Sequence, residues 1–259
     1  MRPGCAVVVP WVSSEQLARF LTNWNVKDPN AKWLVAEHDS ERTGSGATKN
    51  RGIARALSMG FELVVVIDDD CYPQNLGVSD LMTLSDCHAA ALRPQNVQLF
   101  TQVTEPPSRG TPYSTRTAKL PVAASMGFWT EVGDYCAVRQ LAFESEPMEH
   151  FTDPIHGSYF PLCGMNLAFY PEEWEPWCRF IEVPRYDDIW MGWLWQREAY
   201  RRGYCFNLGG PTVRHARQSN VWNNLRDEAK HLERNETLWR DIALMQHDDY
   251  DSLRSLLPV

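Results

Sequence analysis

The sequence lacks several things that would have assigned it a class at once. No CxxC pair occurs among its 7 cysteines (Cys5, Cys71, Cys87, Cys136, Cys163, Cys178, Cys205). A zinc ribbon is therefore not indicated, and the odd count and scattered spacing do not indicate a disulfide framework. The thiols are expected to be reduced and mostly buried. No apolar run approaches the roughly 20 residues that cross a bilayer. The first residues, MRPGCAVVVPWVSSEQ, carry one early Arg, but their apolar run is too short and too Pro-interrupted for a signal peptide. They read as a first strand, and the chain as cytoplasmic. Repeats, low-complexity tracts and an obvious linker are absent too. Positive charge is in short supply: 25 Lys and Arg against 33 Asp and Glu leave a net −8. A surface that grips nucleic acid all over is therefore not expected, although a local basic groove is not excluded.

What is present is an ordinary globular composition, 44% hydrophobic and 22% charged over 259 residues, long enough to bury a sizeable core. Most of the 11 Trp are expected in that core. CAVVVPW (5–11) reads as a buried strand, and SSEQLARFLTNW (13–24) as a helix capped by Ser13 or Ser14. AKWLVAEHD (31–39) is a second strand and SERTGSG a polar loop. ATKNRGIARALSMG (47–60) is a helix closed by Gly60, and FELVVVIDDD (61–70) a third strand. Strand and helix alternate, which predicts an α/β fold with a doubly wound, mostly parallel sheet flanked by helices. Farther on, 79–92 reads as a helix and 96–103 as a strand. The segments 121–135 and 158–171 read as short strands and turns. A strong helix spans 187–203, ending at Gly203, and a strand pair or extended segment covers 204–215. From Val221 an amphipathic helix is expected, with Trp222, Leu225, Ala229 and Leu232 on its apolar face. One domain is expected: a nucleotide-binding half to about residue 75, a donor- and acceptor-closing part to about 220, and a helical tail to 259.

Ligands of parallel α/β sheets bind outside the carboxyl ends of the strands. Pro10–Trp11, Asp39 and Asp68–Asp70 fall there. Three adjacent carboxylates after an apolar strand repel one another unless a cation joins them, so Asp68 and Asp70 are candidate ligands of Mg²⁺ or Mn²⁺, with Asp69 between them. A solvated acidic turn is the alternative. In TKNRG, Lys49 and Arg51 near a helix start are candidates for an anionic group such as a diphosphate; a solvated basic face is the alternative. Asp187 and Asp188 open a helix, where they serve either as dipole partners or as a catalytic base. Spacing does not decide between these. His215 is a candidate third metal ligand. Gly164, in an otherwise apolar run with Asn166, suggests a turn or a close approach of backbone to ligand.

Five segments resemble a known family, in its order. They are IDDDCYP (67–73), RGTPYSTR (109–116), ASMGFWTEVGDYCA (124–137), FPLCGMNLAF (160–169) and RYDDIWMGW (185–193). The family is the reversibly glycosylated polypeptides, or UDP-arabinopyranose mutases, which have a GT-A (Rossmann-like) glycosyltransferase fold. The resemblance implies a UDP-sugar donor and a divalent metal, Mn²⁺ or Mg²⁺. It makes Asp68–Asp70 the metal and diphosphate motif, Asp187 and Asp188 a second acidic pair, and His215 a family histidine. Arg109 and Arg116 match arginines of a loop expected to close over the donor. Pro10, Trp11, Asp39, Lys49, Arg51, Asp69, Gly164 and Asn166 complete the expected donor contacts.

The family glycosylates itself on an arginine within a basic stretch. The corresponding stretch here, 138–159, is acidic, and Arg139 is its only arginine. The expectation is therefore a metal-dependent glycosyltransferase that passes a sugar to a separate hydroxyl acceptor, whether small molecule, glycan or modified DNA base. A pyranose–furanose mutase and an inactive sugar-nucleotide-binding protein are the alternatives.

Overall fold

The computed structural model describes residues 4–74, 78–99, 117–143, 154–216, 220–245 and 249–257. Its first elements follow the predicted alternation: β1 (Cys5–Trp11), α1 (Ser14–Asn23), β2 (Leu34–His38), α2 (Ser45–Ser58) and β3 (Leu63–Ile67). Ser13 caps α1, its side chain accepting from the Gln16 N–H. The chain continues through β4 (Cys71–Pro73), α3 (Leu81–Ala91), β5 (Gln95–Gln98), β6 (Thr117–Leu120), β7 (Val122–Glu131) and α4 (Ala137–Ala142). After β8 (Asn166–Phe169) come α5 (Pro171–Trp174), α6 (Asp187–Arg201) and β9 (Cys205–His215), then α7 (Val221–Glu228), α8 (Leu232–Leu244) and α9 (Tyr250–Arg254). No helix among the described residues is long and apolar enough to cross a membrane.

The main sheet has the order β2-β1-β3-β8-β7-β9-β4. β1 pairs parallel with β2 and β3, and β7 parallel with β9; β8 and β4 run against their neighbours. Five of the seven strands thus share one direction, a mixed, mostly parallel α/β sheet of Rossmann-like type. Every residue of β3 is buried, and each such Val contributes about 1.5–3 kcal/mol by leaving water. Side chains alternate across a strand. Val8 of β1 abuts Gly52 of α2, while Cys5, of opposite parity, meets Ser85 of α3. The two helices therefore cover opposite faces, as a doubly wound sheet requires.

Two expectations are corrected. The third strand does not run through the acids. It stops at Ile67, and Asp68–Asp70 form a turn closed by the Cys71 N–H donating to the Asp68 carbonyl (3.0 Å). The tail helix also does not bury the expected stripe. Trp222 is 66% exposed and Leu232 43%, and the buried residues of α7 are Asn224 and Glu228. The apolar spacing is real, but α7 docks through a polar contact. Leu238, Ile242, Leu253 and Leu257 of the following segments do join the main core.

Where β7, β8 and β9 meet, Asn166 is fully buried. Its amide N donates to the carbonyls of Pro211 (2.8 Å) and Phe128 (3.3 Å). Its carbonyl oxygen must therefore accept from His88 Nε2 (2.8 Å), which leaves His88 Nδ1 to accept from the Ser125 hydroxyl (2.9 Å). Burial pushes His88 down to about 4, with Asn166 opposing. A histidine whose folded value lies below its unfolded one supports the fold above about pH 6.5. That support is lost as pH falls toward 4. At about 1.4 kcal/mol per pH unit the loss amounts to about 3 kcal/mol. Urea unfolding at pH 7 and pH 4.5 should show His88→Gln losing about 3 kcal/mol less than the parent chain. An equal acid loss in both would overturn the assignment.

A candidate sugar-nucleotide site between two helix starts

A cleft of about 610 Å³ opens where the first turns of α2 and α6 approach the Asp68–Asp70 turn. Lys49, Asp68, Asp70, Asp187, Asp188 and His215 all line it. Lys49 is the hub. It is 3% exposed, and its Nζ lies 2.9 Å from Asp68 Oδ1 and 5.4 Å from the centre of the Phe180 ring. Burial works against its charge, but Asp68, Asp187 and Asp188 outweigh that and hold its pKa above the ordinary lysine value. Here is the cation that the adjacent carboxylates required.

The acids answer in kind. Burial raises Asp68, which Lys49 opposes and Asp70 reinforces. Burial likewise raises Asp187, again opposed by Lys49. Asp188 is pushed up to about 7 by burial and then by Asp187, against the pull of Lys49. Its Oδ2 accepts the Gly164 N–H at 2.8 Å. Gly164 is glycine because of crowding: a Cβ there would lie 2.5 Å from the Phe180 ring and 3.3 Å from Lys49 Nζ. Gly46, in the first turn of α2, is pressed against Asp187 almost as tightly, with 2.9 Å from a built Cβ to the Asp187 Cβ. The two readings of Asp187–Asp188 are thus not exclusive. The pair starts α6 and also faces the buried lysine.

Asp70 and His215 are brought together by strand pairing. β4 runs against β9 with Cys71 opposite His215, and the Ala216 N–H donates to the Asp70 carbonyl (3.1 Å). His215 Nδ1 donates to the Val132 carbonyl (2.9 Å), which leaves Nε2 turned to Asp70 Oδ2 at 3.7 Å. Burial disfavours the imidazolium, but Asp70 outweighs it and raises the His215 pKa. An imidazole held at Nδ1 by a carbonyl, with a carboxylate beside its Nε2, suits a divalent cation. Among the described residues no three His, Cys, Asp or Glu side chains converge as a complete metal cage. The donor set fits a cation that takes its remaining oxygens from a phosphate ligand and water.

Other expected residues sit elsewhere. Lys49 and Arg51 are two apart on α2, so they cannot share a face. Arg51 turns to β2, bonding Thr43 Oγ1 (2.9 Å) and Glu37 Oε1 (3.3 Å). Asp39 holds the turn before α2, accepting from the N–H groups of Thr43 (2.8 Å) and Gly44 (3.0 Å). Burial opposes its ionisation, but those N–H groups, the Thr43 hydroxyl and Arg51 keep its pKa below the usual range. Trp11 stacks on His38 at 4.1 Å beside Pro10 at the end of β1. Pro10, Trp11, Asp39, Arg51, Asp69, Gly164 and Asn166 do not line the cleft. Arg109 and Arg116 lie outside the described residues.

Sequence reasoning passed over Asp134, Arg185 and Glu228, which also line the cleft. The first two stood inside the family-like segments 124–137 and 185–193, the one signal that could have flagged them. Cys163 lines it as well, and burial, with Asp188 and Asp134, drives its thiol pKa well above the ordinary value, which disfavours the thiolate.

Comparison with known proteins now bears on this geometry. Residues 57–247 match the family model described as reversibly glycosylated polypeptide. The chain belongs to that family. A probable UDP-arabinopyranose mutase 1 of Pisum sativum is 33% identical over 184 residues, covering 64% of this chain and 50% of the relative. UDP-arabinopyranose mutase 3 of Arabidopsis thaliana is 29% identical over 198 residues, covering 70% and 53%. UDP-arabinopyranose mutase 1 of Arabidopsis thaliana is 30% identical over 184 residues, covering 64% and 51%. The chain spans about half the length of these curated relatives. The matched span of the family includes Asp68, Asp70, Asp187, Asp188 and His215, whereas Lys49 precedes it.

Proposed function

We propose that the protein acts on a UDP-sugar in this cleft and interconverts the pyranose and furanose forms of its sugar, as the names of its relatives describe for UDP-arabinose. The observation that carries this reading is the convergence of Asp68, Asp187 and Asp188 on one buried lysine, in a cleft built largely by the family-matched span. Converting a pyranose to a furanose breaks the C1–O5 bond, forms the C1–O4 bond, and moves one proton from O4 to O5. A single group that first accepts and then returns that proton works best with a pKa near the operating pH. Asp188, at about 7, meets that need. Lys49 opposes the burial that raises Asp187 and Asp68 beside it. A divalent cation, Mn²⁺ or Mg²⁺, would be held by Asp70 and His215 with Asp68 adjacent, and would neutralise diphosphate charge.

Incubation with UDP-arabinopyranose and Mn²⁺ or Mg²⁺, followed by separation of the ring forms, tests the proposal. UDP-arabinofuranose is the expected product. Release of UDP without ring conversion would overturn it.

Transfer to a separate hydroxyl acceptor is the second reading. It is favoured by Arg139, which lies on α4 outside the cleft, its guanidinium 4.7 Å from the Tyr135 ring and 5.3 Å from that of Phe143. A DNA acceptor draws no support from the tail. Lys230 pairs with Asp227, Arg234 with Asp241 and Arg214 with Glu131, so their charge is cancelled locally.

A further inference from the structure

Three residues of the cleft have no part in the chemistry above: Asp134, Arg185 and Glu228. Arg185 precedes α6 with a φ of +69°, a conformation that non-glycine residues seldom adopt. Its Nε donates to Glu228 Oε1 at 3.0 Å, and its Nη2 lies 3.0 Å from the same oxygen and 3.9 Å from Asp134 Oδ1. The second Glu228 oxygen accepts the Ala137 N–H at 2.8 Å. Glu228 is 6% exposed and is one of the two buried residues of α7. It therefore ties the start of α4, the approach to α6 and the C-terminal helices into one contact. Arg185 Nη1 makes no hydrogen bond among the described residues.

This arrangement suits a particular ligand chemistry. A guanidinium set between two carboxylates has its charge cancelled locally, so it is a poor anchor for phosphate. Its N–H groups remain donors, and the carboxylate of Asp134 remains an acceptor. Sugar hydroxyls each donate and accept, and are matched by donors and acceptors side by side. A planar fork fixes the direction of those bonds better than an ammonium would.

We propose that Asp134 and Arg185 form the subsite that reads the hydroxyls of the sugar ring, and that Glu228 is the positioning residue that aims Arg185 into it. The inference rests on the UDP-sugar reading of the cleft. It assigns the tail helix α7 a part in substrate recognition that its exposed Trp222 face does not suggest.

Calorimetric titration with UDP and with UDP-arabinopyranose, each in Mn²⁺, tests it. Arg185→Lys is expected to weaken UDP-arabinopyranose about tenfold or more while leaving UDP within about twofold, because the sugar, and not the UDP, is the ligand part that loses a partner. Asp134→Ala, at a half-exposed position where folding is not at stake, is expected to show the same selective loss. Glu228→Gln should show a smaller loss of the same kind. The Arg185→Lys/Glu228→Gln double variant should bind no more weakly than Arg185→Lys alone, since Glu228 acts through Arg185. A merely structural role would lower both ligands together. That outcome, or unchanged binding of both by Arg185→Lys and Asp134→Ala, overturns the subsite while leaving the UDP-sugar reading intact. Failure of the parent chain to bind either ligand overturns that reading and the subsite with it.

Discussion

Replacing Lys49 by methionine is expected to abolish turnover and to destabilise the fold by about 3–5 kcal/mol at pH 8, the cost of leaving buried carboxylates without their cation. Methionine is close to lysine in length, so packing against Phe180 is largely kept and the charge is what is lost. Asp68, Asp187 and Asp188 already sit above the usual carboxylate range with Lys49 present. Without it they rise further. A carboxyl with a raised folded pKa binds its proton more tightly in the native state, so its contribution favours the fold at low pH and declines as pH rises through the folded value. The deficit of the variant should therefore be largest at pH 8 and shrink at pH 5.5. Urea unfolding at the two pH values measures this, beside the ring-conversion assay. Stability equal to the parent chain at both would show that Lys49 is not the cation that binds the cluster.

Asp70→Ala is expected to lower ring conversion by about a thousandfold or more and to remove its dependence on added Mn²⁺ or Mg²⁺. The turn should survive, because the contact holding it to β9 uses the Asp70 backbone carbonyl and the Ala216 N–H. The informative control is the neighbour. Asp69 does not line the cleft, so Asp69→Asn should keep activity within about tenfold of the parent. Loss of activity in both variants, with circular dichroism and unfolding unchanged, would mean that the acidic turn works as a unit and would overturn the separate role of Asp70.

The contrast between adjacent acids shows where sequence reading ran out. The run VVVIDDD announces a buried strand followed by charge, and parallel-sheet topology places that charge at the ligand-binding edge. Which of three consecutive carboxylates enters the cleft depends on a turn. The turn depends on β4 pairing with β9, 144 positions away in the register Cys71↔His215. The TKNRG segment divides in the same way. Helical geometry sends Lys49 into the cleft and Arg51 to β2, and Asn50 to the backbone of Phe180, bonded in both directions at 2.8 and 2.9 Å. Gly164 is crowded by Phe180 and Lys49, and Asn166, two residues on, is core. Its polarity serves His88 and two carbonyls rather than a ligand.

By itself the sequence determined the first β-α-β-α-β run, the mostly parallel sheet, the family, and acidic pairs that line the cleft. Those features are written in local periodicity, in strand-end chemistry and in contiguous motifs, all of which survive without knowing what packs on what. Tertiary structure alone decided that Lys49, upstream of the family-matched span, is the counter-charge of Asp68, Asp187 and Asp188. It also decided that Asn166 is withdrawn into the core, and that Arg185 is held by a glutamate from the tail. Each of these is a contact between residues far apart in the chain. Buried charge finds its partner only through folding, and the free energy of that pairing depends on distance and desolvation, neither of which a sequence displays.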